Sequence, residues 1–315
     1  MPDEGFPGSG LDEVRGMTPL AFILVFFSVF LHVTWNFLSK RTAPSLAFYT
    51  LMSATSSCIY LPFFLLSDFR PAAMPPVFHV LLIGSIAAEV MYMVGLAYAY
   101  RKSDISLTYP LVRALPVLSV AAITVIFGIG ETPGITALLG MLVIAVGCLF
   151  MPLKRFRDFH PRAYCNKVTL FILLGAAGTT GYTLIDSSAI AMIRDAFERE
   201  SVLNVLAYLF MVEFGMFALQ ACLVFSVAKE RAEFKRLFLR SVFPCLAGAC
   251  ASSAYGLVLL AMRHVTNVSY IQAFRQLSLP LGFLAGVLIL KESVTVPRLA
   301  GMLLILAGLA MAYLG

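Results

Sequence analysis

Two arginines, Arg113 and Arg275, lie inside long apolar stretches that resemble each other. A guanidinium in a lipid-buried segment costs about 3 kcal/mol or more, so such residues generally face a partner or a water-filled cavity. The guanidinium fork matches a carboxylate or a phosphate through two parallel hydrogen bonds. Because the two arginines occupy matching places in two halves of the chain, we expect one central site for a negatively charged group.

Neutral polar side chains accompany both arginines. Tyr109 lies four residues before Arg113, which places it on the same face of a helix. Gln272 and Gln276 flank Arg275. The sequence therefore predicts that Tyr109, Gln272 and Gln276 supply orienting hydrogen bonds to a substrate.

Two carboxyls, Glu89 and Glu213, lie near the middle of other apolar stretches. One interpretation is that they neutralise the arginines as buried ion pairs that hold helices together. The other is that a carboxyl in a low dielectric carries a proton, although a neighbouring arginine favours its ionised form. Both interpretations stay open, and Glu89 is the preferred candidate for proton coupling.

The first apolar stretch ends in HVTWNFLSK, which places His32, Trp35 and Asn36 on one side of a helix. The only tryptophan of the chain is expected either to anchor the helix at the membrane interface or to line the entrance of a cavity. The sixth stretch has Tyr182 and Asp186 at the matching place. His32, Trp35, Asn36 and Tyr182 are therefore further candidates for contact with the substrate.

The composition shows which elements position these residues. Hydrophobic residues make up 60% of the chain, charged residues 13%, and the mean hydropathy is +0.90. A soluble domain is about 45–50% apolar and about 25% charged, so we expect an integral membrane protein. The net charge of +6 is spread over short connectors, which is not typical of nucleic-acid binding. No metal-binding, phosphate-binding or nucleophile motif is present in the sequence, so we expect no metal, no cofactor and no enzymatic activity.

A membrane span needs about 20 apolar residues. Ten runs qualify, at 18–38, 46–67, 77–99, 105–128, 134–152, 168–190, 202–228, 240–262, 267–290 and 297–314. The predicted fold is therefore an all-α integral membrane protein with ten transmembrane helices.

The chain also repeats itself. GETPGITALLGMLVIAVG at 130–147 superimposes on KESVTVPRLAGMLLILAG at 291–308. Each half holds five spans, and an odd number means that the second half enters the membrane in the opposite sense. Inverted repeats are a signature of transporters, whose substrate site lies near the midplane between the repeats. The glycines of these two segments predict a close packing face, either inside the chain or between two copies of a homodimer.

These observations divide the chain into four parts. They are a disordered tail at 1–16, a five-helix repeat at 17–152, a basic connector at 153–167 and a second five-helix repeat at 168–315. The connectors after odd-numbered spans carry 16 Lys and Arg residues, and the opposite side carries five. By the positive-inside rule the odd connectors are cytoplasmic and both termini lie outside.

The HVTWNFLSK segment, and a Gly-Glu or Lys-Glu pair followed nine residues later by G-M-L-x-I-x-x-G, resemble the drug/metabolite transporter superfamily. The resemblance is to its EamA-type ten-span members, and it covers essentially all of residues 17–315. It implies export or exchange of amino acids, nucleotide-type compounds, sugars or other metabolites by alternating access, in a bacterial inner membrane. It also implies a cavity lined by the first, third, fourth, sixth, eighth and ninth spans, which would leave Glu213 peripheral. Both termini would then be cytoplasmic, in conflict with the charge distribution.

The predicted function is secondary active transport of a small anionic or zwitterionic metabolite, such as an amino acid, an organic acid or a phosphonate. The expected partners are this solute, the lipid bilayer and protons as a coupling ion, with the chain acting as a monomer or homodimer. The alternatives are an exchanger or exporter of drug-like or cationic compounds, and, from a different class, a channel or membrane receptor.

Overall fold

The computed structural model describes residues 16–40, 45–102, 105–158, 167–197, 201–291 and 294–315. Residues 1–15 of the predicted tail and residues 159–166 of the predicted basic connector lie outside this part of the chain. The described residues are helical apart from short connectors and one isolated bridge between Met17 and Val265.

Twelve α-helices occur in the described ranges. They are α1 (Pro19–Lys40), α2 (Leu46–Leu66), α3 (Pro76–Lys102), α4 (Ile105–Phe127), α5 (Ile135–Phe150), α6 (Lys167–Ala196), α7 (Val202–Ser226), α8 (Ala228–Arg240), α9 (Phe243–Ala261), α10 (Val268–Phe274), α11 (Ser278–Leu290) and α12 (Val296–Leu314).

The helices have the length and surface of membrane spans. Among the described residues, eight helical stretches of at least 18 residues are apolar enough to cross a bilayer, and two shorter apolar stretches cover Val112–Phe127 and Ile135–Phe150. Large apolar side chains cover the outer surface: Leu66, Ile126 and Phe127 are 72%, 73% and 73% exposed. Soluble proteins do not expose apolar surfaces this large and continuous. The chain is an all-α membrane protein that crosses the bilayer several times.

The ninth predicted span, at 267–290, is not one continuous helix. Helix α10 ends at Phe274, a 3-10 turn covers Arg275–Leu277, and α11 then begins at Ser278. Pro280 explains the position of this break, because it has no N–H to donate to the carbonyl of Gln276 four residues earlier. A short 3-10 segment inside a helix often marks a functional hinge.

The connector between the seventh and eighth spans is a helix of its own. The predicted spans 202–228 and 240–262 leave only a short connector between them, whereas α8 covers Ala228–Arg240 and the next helix begins at Phe243. The charged residues of α8 recur at helical spacing and leave apolar side chains between them, so the helix is amphipathic.

The predicted glycine face packs inside the chain, between α5 and α12. A Cβ on Gly308 would lie 2.5 Å from the carbonyl oxygen of Gly140, and a Cβ on Gly147 would lie 2.8 Å from that of Gly301. Only glycine permits so close an approach of two helix backbones. This face is therefore occupied within one molecule and is not open to a second copy.

Three further helix pairs surround the centre of the bundle: α2 packs on α7, α3 on α6, and α1 on α9. In the α3–α6 pair, a Cβ on Gly178 would lie 2.6 Å from the carbonyl oxygen of Ala88. These pairs hold the central polar side chains at fixed positions.

Candidate substrate cavity

A cavity of about 50 Å³ lies at the centre of the bundle. Its walls come from α1, α3, α6, α7, α9 and the 3-10 turn that follows α10. The lining residues are Ser28, His32, Trp35, Glu89, Tyr92, Met93, Tyr182, Val212, Glu213, Met216, Ala251, Ala254, Tyr255 and Arg275. These fourteen residues surround a space that is large enough for only a few water molecules. A metabolite can therefore enter only if the helices move apart.

Arg275 is the cation of this cavity. Its Nη2 lies 3.4 Å from the hydroxyl of Tyr182, and its guanidinium carbon lies 5.9 Å from the ring centroid of Tyr182 and 5.8 Å from that of Tyr255. Its Nη1 is buried and has no hydrogen-bond partner among the described residues. A buried donor without an acceptor is costly, so an anionic group in the cavity would regain that free energy.

Three tyrosines form the wall around Arg275. The rings of Tyr92 and Tyr182 meet edge to face at 6.0 Å, and those of Tyr182 and Tyr255 at 5.4 Å. Asp186 is fully buried and accepts hydrogen bonds from Tyr255 and, at 2.6 Å, from Tyr208. This network ties α6 to α7 and α9 and fixes the ring of Tyr255 beside the guanidinium.

Arg113 does not line the cavity. Its Nη2 donates to the carbonyl oxygen of Arg275 at 2.6 Å and to the hydroxyl of Ser278. That hydroxyl also donates to the same carbonyl, at 2.8 Å. The guanidinium of α4 thus binds the backbone of the ninth span where its helix is broken, and the two arginines do not form a symmetric clamp around one space.

His32 connects Arg113 to the cavity wall. The indole Nε1 of Trp35 lies 3.1 Å from His32 Nδ1, and Arg113 Nη1 lies 3.1 Å from His32 Nε2. Both neighbours are donors, and a neutral imidazole accepts at only one ring nitrogen, so one contact at a time is a hydrogen bond. Trp35 is 3% exposed and belongs to the interior, which is not the position of an interfacial anchor. Asn36 donates to the carbonyl of His32 at 2.8 Å and is not part of the cavity wall.

Glu89 and Glu213 both line the cavity. Neither carboxyl forms a salt bridge within 4.0 Å with an arginine of the described ranges, so they are not the buried ion pairs that the sequence suggested as one interpretation. Glu213 lies on the seventh span, which the family resemblance had left at the periphery. Residues of the fourth span do not appear among the described lining residues, although the resemblance had placed that span at the cavity.

The remaining predicted residues lie away from the cavity or outside the described part. Gln272 and Gln276 are buried, and Gln276 Nε2 donates to the carbonyl of Gln272 at 3.0 Å. Their side-chain oxygens have no partner in the described chain. The backbone of Tyr109 belongs to α4, but its side chain is not among those described.

The sequence did not single out Tyr92 or Tyr255. A tyrosine in the middle of an apolar span is weak evidence for a functional site, because its ring packs as readily as that of phenylalanine. Only its hydroxyl needs a hydrogen-bond partner. The partner of Tyr255 is Asp186, 69 residues earlier in the chain. No local spacing connects the two.

Comparison with known proteins gives the fold only. No protein-family model matches the sequence, and no curated protein matches it. A solved protein structure matches with a TM-score of 0.63 at 14% sequence identity, over 93% of this chain and 96% of that chain. At this level of identity the similarity is one of fold alone.

Proposed function

We propose that this chain is a secondary transporter that moves a small metabolite by alternating access, and that Arg275 binds the anionic group of its substrate. The observation that carries the proposal is a buried guanidinium with an unpartnered Nη1, on the wall of a central cavity inside an all-α membrane protein. The sequence resemblance to EamA-type transporters agrees with this proposal, and no other comparison bears on it.

The packing of the helices supports an inverted repeat as the basis of the transport cycle. Aligning the two halves places Gly140 on Gly301 and Gly147 on Gly308. If the two halves are related by symmetry, a contact between Gly140 and Gly308 requires an equivalent contact between Gly301 and Gly147. Both contacts occur. By the same symmetry α3 corresponds to α9 and α6 to α1, so the packing of α3 on α6 is equivalent to the packing of α9 on α1. Both pairs are observed.

The charges around the cavity favour a zwitterion over a simple anion. Arg275 offers one guanidinium, whereas Glu89 and Glu213 offer two carboxyls on the same wall. A purely anionic solute would gain from Arg275 and be repelled by ionised carboxyls. A substrate with both a carboxylate and an ammonium group satisfies both signs, and protonation of Glu89 remains the proposed route of coupling to protons.

The broken ninth span supplies a place for the motion. Arg275 sits in the 3-10 turn itself, so a change in the angle between α10 and α11 would move its guanidinium relative to the tyrosines. The cavity of about 50 Å³ is too small for a metabolite, so in the proposed cycle it widens toward one face to admit a solute.

A thermal-shift experiment on the purified chain tests the substrate class. An amino acid, its N-acetyl derivative and its amide present a zwitterion, an anion and a cation with the same side chain. The zwitterion should stabilise the protein by about 2.7 kcal/mol at a hundredfold excess over Kd, by mass action. Arg275→Gln should abolish this stabilisation. Arg194→Gln, whose side chain is 50% exposed on α6, should leave it intact.

A second candidate function is export of cationic, drug-like compounds. It is favoured by three tyrosine rings beside two carboxyls, since aromatic faces and carboxylates both bind organic cations. Stabilisation by the amide alone, unchanged in Arg275→Gln, would support this candidate and reject the first.

A further inference from the structure

Helix α8 lies at one surface of the membrane, because it connects the two spans α7 and α9. One of its faces is held by the rest of the fold. Glu230 Oε2 accepts the backbone N–H of Ala47 at 3.0 Å, and so caps the start of α2. Leu237, two turns later on the same face, is 3% exposed. These two anchors set the orientation of α8 about its own axis.

The adjacent face of α8 carries cations and aromatic rings that line one groove. Arg231, Phe234, Lys235 and Phe238 recur at helical spacing on it. The ring of Phe234 lies 5.4 Å from that of Phe225 at the end of α7, and it stacks on Phe238 at 6.3 Å with an interplanar angle of 3°. The groove that these residues line has a volume of about 520 Å³ and is open to its surroundings.

The two cations of the groove have no carboxylate partner among the residues that the structure describes. Arg231 and Lys235 are exposed and form no salt bridge in the described chain. The neighbouring Glu233 is already bound by Arg236 at 2.6 Å. An aromatic floor next to uncompensated cations is complementary to a molecule with an anionic head and an apolar tail.

We propose that the groove of α8 binds an anionic phospholipid of the surrounding bilayer. The phosphate of the lipid lies between Arg231 and Lys235, and an acyl chain covers the rings of Phe234 and Phe238. A soluble anion would contact only the two cations. Phe238 lies beside them and is 69% exposed, and only a ligand with an apolar part, such as an acyl chain, would bury its ring. The connector also lies on the side with the larger number of Lys and Arg residues, which faces the leaflet that attracts them by its negative surface potential.

Native mass spectrometry of the full chain tests the headgroup contact. The protein is extracted from vesicles of equal parts phosphatidylglycerol and phosphatidylcholine, and the ratio of the two retained lipids is measured. At about 1 kcal/mol per cation, the double variant Arg231→Gln/Lys235→Gln should lower this ratio roughly 30-fold. The matched control Lys229→Gln/Arg240→Gln removes the same charge from residues outside the groove, and should lower the ratio less than threefold.

A second pair of variants tests the apolar contact. Phe238→Ala should reduce the total retained lipid several-fold, whereas Leu239→Ala should not, because Leu239 is 66% exposed but does not line the groove. The ratio of the two lipids and the amount of lipid per protein ion are both measured on the folded protein that reaches the detector, so neither depends on how much protein folds. Equal effects of the two charge variants would overturn the proposal. So would displacement of phosphatidylglycerol by millimolar inorganic phosphate, which would indicate a site for a soluble anion.

Discussion

Replacing each central arginine separately distinguishes their roles. Arg113→Gln removes the donation from Nη2 to the carbonyl of Arg275 and to Ser278. Hydrogen bonds to a charged group contribute about 1.5–3 kcal/mol each. Both bonds are lost, while the carbonyl keeps its bond from the hydroxyl of Ser278 at 2.8 Å, so the free energy of unfolding should fall by about 3–6 kcal/mol.

Arg275→Gln should behave differently. It removes a contact of 3.4 Å with Tyr182 and two ring contacts near 6 Å, and it also removes a buried donor without a partner. The cation–π loss, about 0.5–2 kcal/mol, is offset by the removal of the unsatisfied group. Stability should therefore change by less than about 1 kcal/mol, while ligand stabilisation disappears.

Unfolding of the purified chain in mixed detergent micelles, followed by circular dichroism, measures both effects. A double-mutant cycle of Arg113→Gln with Ser278→Ala should give a coupling energy of about 0.5–3 kcal/mol, because both side chains bind the carbonyl of Arg275. If Arg113→Gln keeps wild-type stability but loses ligand stabilisation, Arg113 contacts substrate and the assignment of roles is wrong.

Gly308→Ala should lower the free energy of unfolding by about 1–3 kcal/mol, since its Cβ would lie 2.5 Å from a carbonyl of α5. The control Gly282→Ala, with nothing within 4 Å, should be neutral or stabilising, and equal effects would contradict the packing. Gly130→Ala should destabilise the chain more than Gly128→Ala in the same unfolding assay. Both glycines have positive φ, but only at Gly130 would a Cβ meet a carbonyl oxygen, at 2.5 Å. A reporter active only in the cytoplasm and fused to Gly315 should be inactive if the Lys/Arg distribution sets the orientation, and activity would favour the reverse topology.

The long apolar helices and the glycine face between α5 and α12 could be predicted because both depend on local patterns. A run of about 20 apolar residues forms a helix in lipid, where its own backbone must satisfy every hydrogen bond. Gly140 and Gly308 were visible as small residues in segments that superimpose. The break in the ninth span follows from Pro280, although the apolar pattern at 267–290 predicts one continuous helix.

The role of Arg113 could not be predicted in the same way. Its acceptor is a backbone carbonyl 162 residues later, and a backbone group carries no signal in the sequence. The location of Glu213 at the cavity depends on how α7 packs beside α3 and α9, which a single span does not encode. Long-range packing thus brings the two arginines into contact but gives their guanidinium groups different surroundings, whereas symmetry in the sequence predicts the same role for both.

Solute flux into proteoliposomes tests the central claim most directly. The zwitterion that most stabilises the protein is supplied outside, and its uptake is followed at increasing concentration in wild-type and Arg275→Gln vesicles. The proposed transporter predicts uptake that saturates with concentration and falls at least tenfold in Arg275→Gln. Uptake that rises linearly with concentration, or that is unchanged in the variant, would contradict transport through a cavity centred on Arg275.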